Sequence, residues 1–298
     1  MKPAAFEYSA PVELDEALAI LRQHGDEAKP LAGGQSLVAM MNLRMARFGQ
    51  LVDLRRIREL RVISEQDGTL VVGAMTTQAT IERDEVVYRH SPLLREATGY
   101  IAHFQIRNRG TIGGSLAHAD PAAEYCAVAL ALDAELEIAS SGGRRRLPVD
   151  ELLRLAYVTT LTPAELLVGV RLPSWGAHSG FAIEEIARRR GDFALVGAAA
   201  AIALGLTGLI ERVRVVLFGV GPRARRLTQL EDTLTGADPD ALGIEAAADA
   251  AAATLDPIAD VQATAHYRRR MAGPLAARVV RTALARARVN ADGAAGAR

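Results

Sequence analysis

Two glycine pairs lie far apart in this chain but have similar neighbours. One stands at positions 33 and 34, within LAGGQSL, and the other at positions 113 and 114, within TIGGS. Because glycine has no Cβ, a Gly-Gly turn can bring consecutive backbone N–H groups close to a ligand, and such groups form a concavity suited to a pyrophosphate. Polar side chains in the same loops add donors: Gln35, Ser36, Thr111 and Ser115. A single pair is more often only a tight turn, but the two together fit the two phosphates of one dinucleotide.

A second glycine pattern competes with this interpretation. Gly219, Gly221 and Ala224 have the G-x-G-x-x-A spacing of a Rossmann fingerprint after the strand-like VRVVLF. Pro222 interrupts the pattern, because it has no backbone N–H and distorts the turn that should present the phosphate site. No βαβ unit follows it, and no acidic residue can be assigned to the ribose. We therefore predict that this stretch binds no dinucleotide.

Other residue types that carry chemistry are scarce. The six histidines show no metal-ligand spacing, and no nucleophile–base set is recognisable. The single cysteine, Cys126, excludes an internal disulfide framework and an iron–sulfur cluster held by this chain's own thiolates. The sequence therefore predicts neither a metal site nor a catalytic residue in this chain.

Composition limits the class of protein. The chain has 298 residues, 35 basic and 35 acidic side chains and a formal net charge of zero. A nucleic-acid-binding protein would show a basic excess, so we predict no nucleic-acid partner.

The N-terminus carries acidic residues and no uninterrupted apolar core, so we predict no signal peptide. The longest uncharged run, residues 193–210, is mostly Ala and Gly and inserts weakly into membranes. We expect a cytoplasmic protein with no transmembrane segment.

Hydrophobic periodicity predicts mixed elements. Residues 12–21 place Leu14, Ala17, Leu18 and Leu21 on one helical face, and residues 79–102 read as helical segments broken near Pro92. Short strands are predicted at AKPLA, GQLVDL, LRVISE, TLVVGAMT, AELEIAS and AELLVGVRLP, and three more between residues 180 and 221. The Ala-rich remainder from about residue 224 reads as helical. Because strands and helices mix without strict βαβ alternation, the predicted class is α+β.

Several of these stretches together resemble a known family. LAGGQSL, LVDL (residues 51–54), VGAMTT (residues 72–77) and QIRNRGTIGGSLAHADPAAE (residues 105–124) are similar to the flavin-binding medium subunit of molybdenum hydroxylases. That family includes xanthine dehydrogenase and carbon monoxide dehydrogenase. PAELLVGVRLP, ARRRGDFALVG and YRRRMAGPLAARVVRTAL follow in the expected order, so the resemblance covers essentially the whole chain.

The resemblance implies a domain organisation. A two-lobed FAD-binding domain of the vanillyl-alcohol-oxidase/PCMH type is expected over residues 1–173, with lobes of about 1–57 and 58–173. A linker at 174–180 then leads to a smaller α+β domain at 181–288 and a tail at 289–298.

The resemblance also implies that one FAD is held by both glycine loops. Leu31, Ala32, Gly33, Gly34, Gln35, Ser36 and Leu37 would line its adenine and pyrophosphate side, and Thr111, Ile112, Gly113, Gly114 and Ser115 would continue the phosphate contacts. Glu124, where relatives more often have Asp, would contact the ribose or ribityl region. Leu167 would pack on the flavin, Phe193 would lie where relatives often have Tyr near the isoalloxazine, and His118 would face either the flavin edge or a turn. Valine at position 33 or 114 is expected to abolish binding while leaving the fold largely intact.

The implied function is electron transfer within a complex. A large subunit with molybdopterin would oxidise the substrate, a small subunit with [2Fe-2S] clusters would relay electrons, and this chain would receive them on FAD, in a heterotrimer that is often doubled. Two alternatives stay open at this point. A free-standing FAD-dependent oxidase or reductase would turn over a donor by itself, and a non-catalytic assembly protein would bind no FAD.

Overall fold

The computed structural model describes residues 2–296, and its N-terminal part is a parallel sheet with two helices. The three strands lie in the order β1-β3-β2, with both outer strands parallel to β3. The elements are β1 (Glu7–Ser9), α1 (Leu14–His24), β2 (Ala28–Leu31), α2 (Leu37–Asn42) and β3 (Gln50–Asp53). The predicted apolar face of α1 is buried at all four positions. Strands and helices do alternate in this lobe. The predicted strands AKPLA and GQLVDL correspond to β2 and β3, but the three-residue β1 and the six-residue α2 were not predicted, so the alternation was not apparent from the sequence.

The second lobe is a five-stranded antiparallel sheet covered by helices. Its strand order is β4-β5-β10-β6-β7. The sheet strands are β4 (Ile63–Gln66), β5 (Thr69–Gly73), β6 (Glu135–Ser140), β7 (Gly143–Pro148) and β10 (Leu166–Pro173). Six helices connect β5 to β6: α3 (Gln78–Arg83), α4 (Glu85–His90), α5 (Pro92–Thr98), α6 (Phe104–Arg107), α7 (Ile112–His118) and α8 (Glu124–Ala131). Between β7 and β10 lie α9 (Val149–Leu152) and the hairpin of β8 (Leu153–Leu155) and β9 (Val158–Thr159).

The C-terminal part is an antiparallel sheet between two helical layers. Its elements are β11 (Ser179–Ile186), β12 (Val196–Leu204), β13 (Ile210–Phe218), β14 (Arg225–Arg226), α10 (Thr228–Leu234), α11 (Ile244–Ala253) and α12 (Ala265–Gly296). Because side chains alternate along a strand, Ala199 and Phe218 join the core of the second lobe. Their neighbours Ala198 and Leu217 join a separate core with α12. The sheet therefore contacts the second lobe, including α8, through one face.

The predicted α+β class is confirmed. Helix α12 continues through residues 289–296, where a tail was expected. Residues 297 and 298 of that predicted tail lie outside the described residues. Within residues 2–296, no helix has both the length and the apolar character needed to cross a membrane.

Candidate functional site

The two glycine loops touch each other. A Cβ built at Gly33 would lie 2.2 Å from the carbonyl oxygen of Arg109, just before the second loop, and one built at Gly114 would lie 3.2 Å from the Cβ of Ala32. The loops therefore form one surface at the junction of the two lobes. Because Gly33 packs against backbone of its own chain, valine at this position would disturb the fold, and the expectation of an intact fold is wrong there.

The first loop has unused backbone donors. Gly34 has a left-handed backbone (φ +74°), and Gln35 Nε2 donates to the Gly33 carbonyl at 3.0 Å. Within residues 2–296, none of the backbone N–H groups of residues 33–36 donates a hydrogen bond. Four successive free amides in a turn are suited to an anion such as a diphosphate.

The second loop uses its amides internally. The N–H groups of Ile112 and Gly113 donate to the carbonyls of Thr76 (3.2 Å) and Ala74 (2.9 Å). The N–H of Gly114 donates to Thr111 Oγ1 at 3.1 Å, which caps α7. A Cβ at Gly113 would lie 2.4 Å from the Cβ of Ala74. The expectation that both glycine pairs present consecutive N–H groups is therefore wrong for the second pair, where glycine permits close packing.

Polar residues outside the loops fix the second loop in place. Arg107 donates through Nε to Glu82 (3.0 Å) and through Nη1 to the carbonyls of Ile101 (2.8 Å) and Ala102 (3.2 Å). The buried Gln78 donates its backbone N–H to the Gly110 carbonyl at 2.8 Å. Arg107 and Gln78 thus hold the residues that lead into the second loop.

His118 lies at the end of α7 in contact with a residue that the sequence analysis missed. The rings of His118 and Tyr157 are 5.0 Å apart, and the Tyr157 hydroxyl donates to Asp120 Oδ2 at 3.3 Å. Tyr157 has a left-handed backbone (φ +61°), and its N–H donates to the Ala119 carbonyl at 3.0 Å. Burial lowers the pKa of His118, Asp120 opposes that shift and Lys29 adds to it. A bulky residue in this backbone conformation marks a locally strained turn beside the candidate site.

Glu124 is a buried carboxyl group at the start of α8. It is 7% exposed. Burial raises the pKa of Glu124 to about 8; its own backbone N–H opposes the shift, and the charges of Glu185 and Asp120 add to it. Burial likewise raises the pKa of Glu185, on β11, to about 7, and Glu185 Oε2 is buried without a partner among residues 2–296. Near neutral pH Glu124 is mostly protonated, so it can both donate and accept a hydrogen bond.

Leu167 and Phe193 lie in contrasting surroundings. Leu167, on β10, is 6% exposed within the core of the second lobe, next to an irregularity in the pairing with β6. Phe193 is 66% exposed on the loop between β11 and β12. In the same loop, a Cβ at Gly191 would lie 2.9 Å from the Ala102 carbonyl oxygen, so the loop rests on the second lobe.

The competing glycine pattern has another role. Gly219 follows β13 and has a left-handed backbone (φ +71°), but it leads to the short strand β14 and not to a helix. Its N–H donates to the Pro121 carbonyl at 2.9 Å. Within residues 2–296, no group of three or more His, Cys, Asp and Glu side chains is placed to hold a metal ion.

The fold and the joined glycine loops define the class of two-lobed FAD-binding flavoproteins with a second α+β domain. Residues 4–175 match the family described as the FAD binding domain in molybdopterin dehydrogenase, and residues 181–283 match the carbon monoxide dehydrogenase flavoprotein C-terminal domain.

The chain is similar to known proteins over almost its entire length. It is 42% identical to the 6-hydroxypseudooxynicotine dehydrogenase complex subunit alpha of Paenarthrobacter nicotinovorans, over 97% of each chain. It is 39% identical to the carbon monoxide dehydrogenase medium chain of Hydrogenophaga pseudoflava, over 96% of this chain and 99% of that one. A solved structure of the carbon monoxide dehydrogenase of that organism superposes with a TM-score of 0.93 at 40% identity, over 96% of this chain and 99% of the other. The chain belongs to the family of FAD-binding medium subunits of molybdenum hydroxylases.

Proposed function

We propose that this chain is the FAD-carrying electron-transfer subunit of a molybdenum-containing hydroxylase. It would take electrons from the [2Fe-2S] clusters of a partner subunit and pass them to an external acceptor. The observation that carries the proposal is the first glycine loop, whose four free amides adjoin the second loop at the lobe junction. When bound, FAD accepts electrons singly and releases them singly or in pairs.

The binding residues divide by position along the cofactor. Leu31–Leu37 would hold the diphosphate and adenine side, with the free amides as the main donors. Thr111–Ser115 would form the opposite wall. Ser115 is half-buried there, and its hydroxyl forms no hydrogen bond to another residue within 2–296. Glu124 would hydrogen-bond a ribose or ribityl hydroxyl.

The flavin end would lie near residues from both domains. Leu167 would supply an apolar floor, and the exposed Phe193 ring would cover the isoalloxazine. His118, held by Tyr157, would lie at the flavin edge. No residue of this chain is proposed as a catalytic acid or base, because substrate oxidation would occur in the partner that carries molybdopterin.

The assembly is part of the same proposal. The names of the relatives describe subunits of larger complexes, which supports a large molybdopterin subunit and a small [2Fe-2S] subunit as partners here, arranged as a dimer of heterotrimers. We further propose a division into a FAD-binding domain at 1–173, a linker at 174–180 and a C-terminal domain from 181. The cytoplasmic location stays a prediction.

Electron transfer can be tested by removing and restoring the cofactor. The complex would be purified through a tag on this chain, reduced with dithionite, and exposed to oxygen or NAD⁺ before and after FAD depletion. We expect the iron–sulfur absorbance to recover quickly in the complete complex, slowly after depletion, and quickly again when FAD is returned. Equal recovery rates with and without FAD would contradict the proposal.

A further inference from the structure

Arg268 is a buried arginine that joins three parts of the chain. It lies in the first turns of α12 and is 5% exposed. Its Nη1 donates to the carbonyl of Leu195 at 2.6 Å and to that of Gly219 at 2.5 Å. Its Nη2 forms an ion pair with Asp260 at 2.7 Å. A planar guanidinium has the fork of donors needed to bridge acceptors in fixed directions.

The two carbonyls belong to segments that lead to the candidate flavin site. Leu195 follows Phe193 by two residues, and its N–H donates to the Ile186 carbonyl at 2.7 Å. Gly219 donates its N–H to the Pro121 carbonyl, three residues before Glu124. Arg268 is thus one hydrogen-bonded step from the loop of Phe193 and two steps from the turn that begins α8.

The Gly219 contact is too close for another residue. A Cβ at Gly219 would lie 2.8 Å from the Ala194 carbonyl oxygen and 3.0 Å from that of Leu195. The left-handed backbone and this close approach explain the glycine at the end of β13 without any phosphate role. The Arg268 guanidinium therefore connects two strand ends that are already in contact.

We propose that Arg268 is a positioning residue for the flavin end of the cofactor site. It fixes the Phe193 loop of the C-terminal domain relative to the Pro121–Glu124 turn of the FAD-binding domain. This inference rests on the proposed function. It distinguishes the two ends of the cofactor. The glycine loops that would hold the ADP half have no contact with Arg268, whereas the Phe193 loop that would cover the flavin is held by it directly.

The test compares FAD with ADP. The complex would be purified through this chain, depleted of flavin and titrated calorimetrically with each ligand, for the wild type and the variant Arg268→Met. We expect the Kd for FAD to rise about tenfold or more, because the variant loses a network of charged hydrogen bonds. The Kd for ADP should stay within about twofold of the wild-type value. Arg268→Lys should be intermediate, because an ammonium group lacks the planar fork.

Arg269→Met is the matched control. Arg269 is the next residue of the same helix, is 42% exposed and donates to the Leu255 carbonyl at 3.0 Å, away from both segments. We expect it to change neither Kd. An FAD affinity of Arg268→Met equal to that of the control, or an equal loss for FAD and ADP, would overturn the proposal.

A milder variant keeps the test valid if Arg268→Met does not assemble. Asp260→Asn removes the ion-pair charge and leaves both carbonyl acceptors in place, so we expect a smaller loss of FAD affinity with ADP affinity unchanged. An unaltered ratio of the two affinities in both Arg268→Lys and Asp260→Asn would overturn the inference. Failure of the proposed function itself would show separately, as absent FAD binding in the wild type.

Discussion

Gly114 lies where a methyl group would separate the two loops. Its Cβ would meet Thr111 Oγ1 at 2.8 Å and Ala32 Cβ at 3.2 Å. We expect Gly114→Ala to raise the Kd for FAD about tenfold, because either the capping hydroxyl or the first loop must move. Fluorescence titration of the flavin-depleted complex measures this change. Gly221→Ala is the control, since a Cβ there meets no atom within 4 Å; equal affinities in the two variants would argue against the joined loops as the site.

Glu124 gives a prediction for pH. The pKa of Glu124 is about 8 in the fold against an ordinary 4.5, so the unfolded chain ionises first and the folded state loses stability as pH rises from about 4.5 to 8. Glu124→Gln removes this loss. The measurement is a denaturant titration of the isolated chain without FAD. We expect the free energy of unfolding of the variant, relative to that of the wild type, to increase by about 2–4 kcal/mol from pH 5 to pH 8.

The control for this prediction is Glu211→Gln, a substitution at an exposed position on β13. It should shift stability equally at both pH values. If the free energies of unfolding of Glu124→Gln and the wild type differed by the same amount at pH 5 and pH 8, the result would contradict a buried, protonated Glu124.

At the residue scale, sequence predicted where the glycine loops are but not how their hydrogen bonds are used. The spacing of Gly113 and Gly114 indicates a turn, yet their amides bond to Ala74 and Thr111, and the first of these contacts is distant in sequence. Tyr157 gave no signal, because nothing in LAYVTT indicates a left-handed backbone at a tyrosine. The nearness of Glu185 to Glu124 arises only when β11 packs on the second lobe.

At the scale of elements, Asp133 connects the second lobe to β13. It sits in the turn between α8 and β6 with φ +51° and accepts hydrogen bonds from Arg214 at 2.8 Å and Arg212 at 2.7 Å. Burial alone would raise the pKa of Asp133, but the two arginines outweigh it and hold the pKa below its usual value. The stabilisation is therefore present at neutral pH and is lost as pH falls through the lowered pKa.

Asp133→Asn tests this connection with little backbone perturbation, because Asn tolerates a left-handed backbone. We expect a loss of about 1–3 kcal/mol at pH 7 that shrinks toward pH 3, measured by denaturant titration. Asp67→Asn, at another left-handed position (φ +51°) in an exposed turn, is the control and should be neutral. A loss for Asp133→Asn that is equal at both pH values would show that its charge does not hold β13.

Elements with a clear period or clear turn boundaries were predicted, and two helices beside or within the glycine pairs were not. The face of α1 and the Ala-rich strand β12 were both read correctly, since one follows a helical period and the other is bounded by turn residues. Helices α2 and α7 escaped recognition because α2 begins three residues after the first glycine pair and α7 contains the second, and glycine is a poor helix former. Their positions depend on contact between the loops and not on an amphipathic face.

At the scale of the whole molecule, the proposed FAD site would draw on both matched regions of the chain. Residues 4–175 would supply the loops and Glu124, and residues 181–283 would supply Phe193 and the Arg268 contacts. The resemblance identified from the sequence is confirmed by the family matches over residues 4–175 and 181–283. Composition alone could not indicate partner subunits; that expectation came from the resemblance to the family.

The proposed role as the FAD subunit of a molybdenum hydroxylase is tested by affinity purification of the chain from its native host, followed by an absorption spectrum and metal analysis. We predict flavin absorbance with a large and a small subunit, molybdenum and iron in the same fraction. A yellow chain that arrives alone, without molybdenum or iron, would contradict the electron-transfer role and favour a free-standing flavoenzyme. A colourless chain would contradict FAD binding and favour an assembly protein.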